Sequence, residues 1–179
     1  YPVTYYGNTN SSGSVPTDGS SPYNSGSTVT VLGNTGSLVK TGYTWANWCT
    51  IQPAAGATCA SVSGTSYSSG NTFTITQDTS LYSIWTINSY TVTYNGNSNT
   101  GGSVPSSQTQ NYNTTVTVQS NSGTLARTGY TFAGWNTLAD GTGTTYTAGT
   151  GTFTLTGDTT LYAKWTINSY TVTYNGNSN

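Results

Sequence analysis

Few side chains in this chain could do chemistry, and they are quickly named. Of 179 residues 4% are charged: Lys40, Arg127 and Lys164 against Asp18, Asp78, Asp140 and Asp158. There is no His and no Glu. General acid–base work and nucleophile activation draw mainly on those missing types, or on a base held beside the nucleophile. No enzyme and no cofactor are therefore expected. A calcium site needs several oxygen ligands, usually with clustered carboxylates, and no two of the Asp are close in sequence. Asp78 and Asp158 instead sit in Gln-Asp-Thr and Gly-Asp-Thr, and Asp140 precedes Gly141. In such contexts the side chain bonds the backbone of a turn. Three scattered cations offer no footprint for nucleic acid, and no apolar run is long enough for membrane insertion within this segment.

Cys49 and Cys59 stand ten positions apart in a stretch containing Gly, Ala and Pro. With no His and no further Cys, zinc has no ligand set, and there is no Cys-x-x-Cys redox motif. The expectation is a local disulfide, with two unpaired thiols as the alternative. Closing a loop of that size contributes roughly 2–3 kcal/mol, and a disulfide implies an oxidising compartment. Asn10-Ser11-Ser12 and Asn113-Thr114-Thr115 have the form of N-glycosylation sequons. Triplets of that form also arise by chance in so Asn- and Thr-rich a chain.

Thr (40), Ser (24), Asn (18) and Gly (22) make up more than half of the residues. Such a composition usually marks disorder, but aromatic residues reach 13%, with 15 Tyr and 5 Trp. A chain kept in solution by hydroxyls and amides around aromatic cores reads as a β-rich extracellular module made of small domains.

The elements that must position these residues come twice, and internal repetition is read before anything finer. INSYTVTYNGNSN occurs at 87–99 and, letter for letter, at 167–179. YPVTYYGNTNSSGSVP (1–16) aligns with YTVTYNGNSNTGGSVP (90–105), and KTGYTWANW (40–48) with RTGYTFAGW (127–135). NTFTITQDTSLYSIW (71–85) aligns with GTFTLTGDTTLYAKW (151–165). The chain thus divides into units 1–89 and 90–169, with 170–179 as the first strand of a third. The first unit is longer mainly through an insertion between Trp48 and Tyr67, which holds both Cys.

Tyr90, Val92 and Tyr94 alternate with Thr91 and Thr93, the period of a half-buried strand. Further strands are expected at Thr115–Val118, Tyr130–Trp135, Thr152–Thr156 and Thr160–Ile167. Helical periodicity is weak, the best place for a helical turn being Ser120–Arg127. Recurrence in both units makes Trp48, Trp85, Trp135, Trp165, Tyr43, Tyr130, Leu81 and Leu161 core anchors rather than a sugar-stacking platform. Only Thr86, Ile87, Asn88 and Ser89 separate Trp85 from Tyr90. So short a joint predicts an extended array.

An opening Tyr-x-Val-x-Tyr strand, a central (Arg/Lys)-Thr-Gly-Tyr-Thr-x-x-x-Trp and a closing Asp-Thr-x-Leu-Tyr-x-x-Trp follow one another in the chain. Both units match over nearly their whole length, and in that order the blocks resemble the Listeria–Bacteroides repeat, also called the internalin B-repeat. The resemblance implies a mainly β fold of two tandem, small β-grasp-like (ubiquitin-like) domains with little or no helix. It also implies a place on bacterial or archaeal surface proteins, as spacer or adhesin segment, with no catalytic site to carry over.

The function expected is a structural segment of an extracellular or cell-surface repeat protein: an adhesin stalk, spacer or extracellular fibre whose partners are neighbouring repeats. The competing reading is a module that binds cell-surface glycans through the 49–66 loop and exposed aromatics. Tyr170, Val172 and Tyr174 alternate as a strand that either opens the next repeat or exchanges with another chain, giving self-association into fibres.

Overall fold

The computed structural model describes residues 1–176. The last three positions of the expected third unit, 170–179, lie outside the described residues. The chain separates into two compact units, one ending at Asn88 and the next opening at Ser89. The first holds β1 (Val3–Tyr6), β2 (Thr28–Thr30), β3 (Tyr43–Cys49), β4 (Ser66–Tyr67), β5 (Thr72–Thr74) and β6 (Thr79–Ile87). The second holds β7 (Ser89–Asn95), β8 (Gln108–Asn111), β9 (Thr115–Thr117), β10 (Tyr130–Asn136), β11 (Thr145–Tyr146), β12 (Thr152–Thr154) and β13 (Thr159–Ile167).

The main sheet of the second unit has the order β11-β10-β13-β7-β8. Its first and last strands, β7 and β13, lie side by side and parallel, while the other neighbours are antiparallel. A two-stranded sheet, β9 with β12, supplies Val116 to the same core. The first unit repeats this plan as β1-β6-β3-β4 with β2 and β5 as its small sheet. It has no strand in the place of β8. Ser21–Tyr23 runs there instead, with Tyr23 N–H donating to Tyr1 O at 2.9 Å and Val3 N–H to Ser21 Oγ at 3.1 Å. Both units are β-grasp-like mixed sheets.

Tyr and Trp lock each core in the same way. Tyr5 and Trp48 meet edge to face at 4.8 Å, and Tyr94 and Trp135 at 4.7 Å. In the first unit the Tyr5 hydroxyl accepts from Leu32 N–H at 3.0 Å while Trp48 Nε1 donates to Leu32 O at 2.8 Å. In the second, Gln119 takes the place of Leu32, with both distances 2.8 Å. One backbone residue is thereby held by the polar atoms of two rings.

No helical turn forms at Ser120–Arg127, in keeping with the weak helical periodicity there. Asn121 bonds both backbone groups of Leu125, Oδ1 accepting its N–H at 2.8 Å and Nδ2 donating to its carbonyl at 3.3 Å. Asn34 does the same to Leu38. An Asn side chain that closes a loop in this way replaces helical bonding. Among the described residues the one helical piece is a 3-10 turn, Ala60–Val62, in the Cys-bearing loop.

A bulge interrupts β3 between Trp45 and Asn47, and β10 between Phe132 and Trp135. In β10 it is built on Gly134, whose φ is +116° and whose place for a Cβ lies 2.6 Å from Tyr146 O. Glycine is required there by both conformation and space.

Candidate functional site

Trp48, Trp85, Trp135, Leu81 and Leu161 are buried, whereas Tyr43, Tyr130 and Trp165 are partly covered. Every recurrent indole bonds backbone through Nε1: Trp85 to Gly7 O at 3.0 Å and Trp165 to Gly96 O at 3.1 Å complete the set. Three of the four recurrent Trp therefore present no ring to a ligand. Lys40 and Arg127 lie over the rings of Tyr43 and Tyr130, at 5.3 and 4.2 Å.

Cys49 and Cys59 form a disulfide with Cα atoms 5.5 Å apart. Both are buried and pack against Ile84. Gly64 completes the staple, since a Cβ there would meet the two sulfurs at 2.5 and 2.8 Å. In the aligned position of the second unit stands Asn136, fully buried. Its Nδ2 reaches Gly141 O at 3.2 Å, Gly143 O at 3.0 Å and Thr145 Oγ1 at 2.8 Å, while Oδ1 accepts from Leu138 N–H at 2.8 Å. One position thus ties down the loop after the Trp strand in both units, by a covalent bond in one and an amide in the other. Sequence reasoning missed Asn136; its alignment with Cys49 was the available signal. The 49–66 loop itself contains no aromatic residue.

The Asp residues meet backbone and hydroxyl groups. Asp18 accepts from Ser20 N–H at 3.0 Å and from the Tyr23 hydroxyl. Asp140 accepts from Thr142 N–H at 3.0 Å and Oγ1 at 2.7 Å, bonds that hold its carboxyl below the ordinary range. Asp158 accepts from Thr91 N–H at 2.8 Å. Among the described residues no three His, Cys, Asp or Glu gather as a metal site.

Asn10 uses Nδ2 to close a turn, on Ser12 O at 2.9 Å and Gly13 O at 3.3 Å. Asn113 is exposed at the turn between β8 and β9 with φ +64°. Tyr170, Val172 and Tyr174 are exposed and belong to no strand.

A small β-grasp-like unit made twice, with aromatic anchors inside and its polar side chains directed to turns, defines a structural repeat domain. Residues 90–164 match the Listeria-Bacteroides repeat domain, and the second unit is a member of that family. Over 179 residues, 99% of its length, the chain is 35% identical to a protein of Evansella cellulosilytica named as a Gly-rich membrane protein, covering 20% of it. It is 41% identical over 96 residues, 53% of the chain, to another protein of that organism named as a membrane protein, covering 14% of it. The chain spans a fifth or less of either relative. No solved structure matches it. No helix among the described residues is long and apolar enough to cross a membrane.

Proposed function

We propose that this chain is a structural segment of an extracellular or cell-surface repeat protein, serving as adhesin stalk, spacer or fibre in which each repeat contacts its neighbours. The doubled unit carries this reading: two cores with one plan, and only Asn88 between the end of β6 and the start of β7. Such a joint has none of the length or Gly/Ser content of a flexible tether. The disulfide suits an oxidising exterior, and the relatives' names associate them with membranes. In this reading Tyr170, Val172 and Tyr174 are the opening strand of a further repeat. Exchange of that strand between chains is the competing role, and fibres that persist after removal of residues 170–179 exclude it. Small-angle scattering tests the array: an elongated particle is expected, and side-by-side packing of the two units overturns the spacer reading.

A further inference from the structure

Of the seven charged side chains, three line one cleft of about 160 Å³ in the second unit: Arg127, Asp140 and Lys164. Asn97 and Trp165 line it too. In a chain so poor in charge, two of the three cations share one small cavity. Its size suits a single sugar ring rather than a drug-sized molecule, which takes roughly 300 Å³ or more.

Three polar side chains facing this cleft keep donors or acceptors to spare. The Arg127 guanidinium rests on Tyr130 at 4.2 Å and makes no hydrogen bond or ion pair among the described residues. Its five N–H donors are thus held in place by stacking and left free. Lys164 gives one N–H to Thr145 Oγ1 at 3.0 Å and keeps two. Asn97 is anchored through Nδ2, on Ala139 O at 2.7 Å and Ala163 O at 3.0 Å, and its Oδ1 accepts nothing.

The first unit provides an internal control, because each aligned group there is occupied or replaced. Asn8, in the place of Asn97, receives Gln52 Nε2 on its Oδ1 at 3.0 Å. Lys40, in the place of Arg127, donates to Thr9 O at 3.0 Å and to its hydroxyl. Ile84 stands where Lys164 does and packs on the disulfide. Gln52 and the disulfide of the enlarged loop thus occupy, in one unit, places that stay open in the other.

We propose that the second-unit cleft binds a carboxylate-bearing sugar, a uronic acid residue of an acidic polysaccharide. The Arg fork matches a carboxylate in two parallel bonds, and Lys164 adds a point charge. One negative and two positive side chains leave a single positive charge, which suits a monoanion better than a phosphate dianion. Asn97 Oδ1 and the Asp140 carboxylate accept from ring hydroxyls, and Trp165 supplies an apolar wall for the sugar's carbon face.

Amide NMR titration of the intact chain with trigalacturonate tests this, with cellotriose, sulfate and a hexaglutamate peptide as comparison ligands. Trigalacturonate is expected to shift amides around Asn97, Arg127, Asp140 and Trp165 while leaving the first unit unmoved. Arg127→Gln and Lys164→Ile should each weaken it at least about tenfold, the loss typical of a charge-assisted bond. Lys164→Ile takes the residue of the aligned first-unit position, and undiminished amide dispersion in the variant's spectrum shows that it folds. The proposal is overturned if trigalacturonate shifts nothing in the cleft, or if neither variant weakens it. Equal shifts from sulfate or hexaglutamate also overturn it, leaving a plain anion site, and equal shifts from cellotriose remove the role of the carboxylate.

Discussion

At Asp78 and Asp158 the two units differ by one hydrogen atom on another residue. Thr91 gives its N–H to Asp158 at 2.8 Å; the aligned residue in the first unit is Pro2, which has no N–H to give. Asp158→Ala should therefore destabilise the second unit by about 1 kcal/mol, while Asp78→Ala leaves the first near zero. Urea midpoints of the two variants check this, and equal losses contradict it. Trp45 shows the converse imbalance. Its indole N–H is buried without a partner, whereas Phe132 fills that place in the other unit with no donor to satisfy. Trp45→Phe removes an unpaired donor and some ring volume together, so its unfolding midpoint should stay within about 1 kcal/mol of the parent. A loss of several kcal/mol would show that packing of the indole outweighs the unmet donor.

Between strands, the position shared by Cys49 and Asn136 sets how each loop is held. Reducing the disulfide should cost the first unit roughly 2–3 kcal/mol and free residues 50–65 to proteolysis, leaving the second unit untouched. Asn136→Ala should cost the second unit about 2–4 kcal/mol, because it strands two carbonyls and one N–H around a buried hole. Limited proteolysis with urea unfolding separates the two effects. Strands facing a core were legible because Tyr90, Val92 and Tyr94 alternate with Thr. β8 and β11 were not: Gln108–Asn111 is an exposed edge strand of amide and hydroxyl side chains, and Thr145–Tyr146 is too short to show a period. Two Cys ten positions apart with no zinc ligands beside them favour a disulfide, and it forms. The charged cleft was hidden, because Asn97, Arg127, Asp140 and Lys164 are far apart in sequence and only folding joins them. Repetition pointed away from it as well, since it drew attention to residues the units share.

Across the whole chain, pH should matter little over a wide range and then matter on the alkaline side. With no His and no Glu, the groups whose ionisation responds to folding lie at the extremes. Burial raises the pKa of Tyr5 and of Tyr94 above the ordinary value of 10.0. The folded chain then holds protons that the unfolded chain releases, so this stability is intact below pH 10 and lost as pH rises through the folded values. Asp140 works in the opposite sense: its contribution is present above the ordinary 3.8 and lost as pH falls through its lower folded value. That residue is fully exposed, so the acid loss is slight. Melting temperature should be flat from about pH 4 to about pH 9 and drop beyond pH 10. A steep acid transition would contradict this.

The parallel pairing of each unit's first and last strands has a mechanical consequence. Val3–Tyr6 runs along Thr79–Tyr82, and Val92–Asn95 along Thr159–Tyr162, so the chain enters and leaves a unit at opposite ends of one ladder. Pulling on the chain slides the two strands past each other and loads all the rungs at once. Antiparallel terminal strands would instead be peeled apart one rung at a time. In the proposed stalk, flow would strain the chain along this line, and each unit would meet that strain in shear, through its first and last strands rather than its loops.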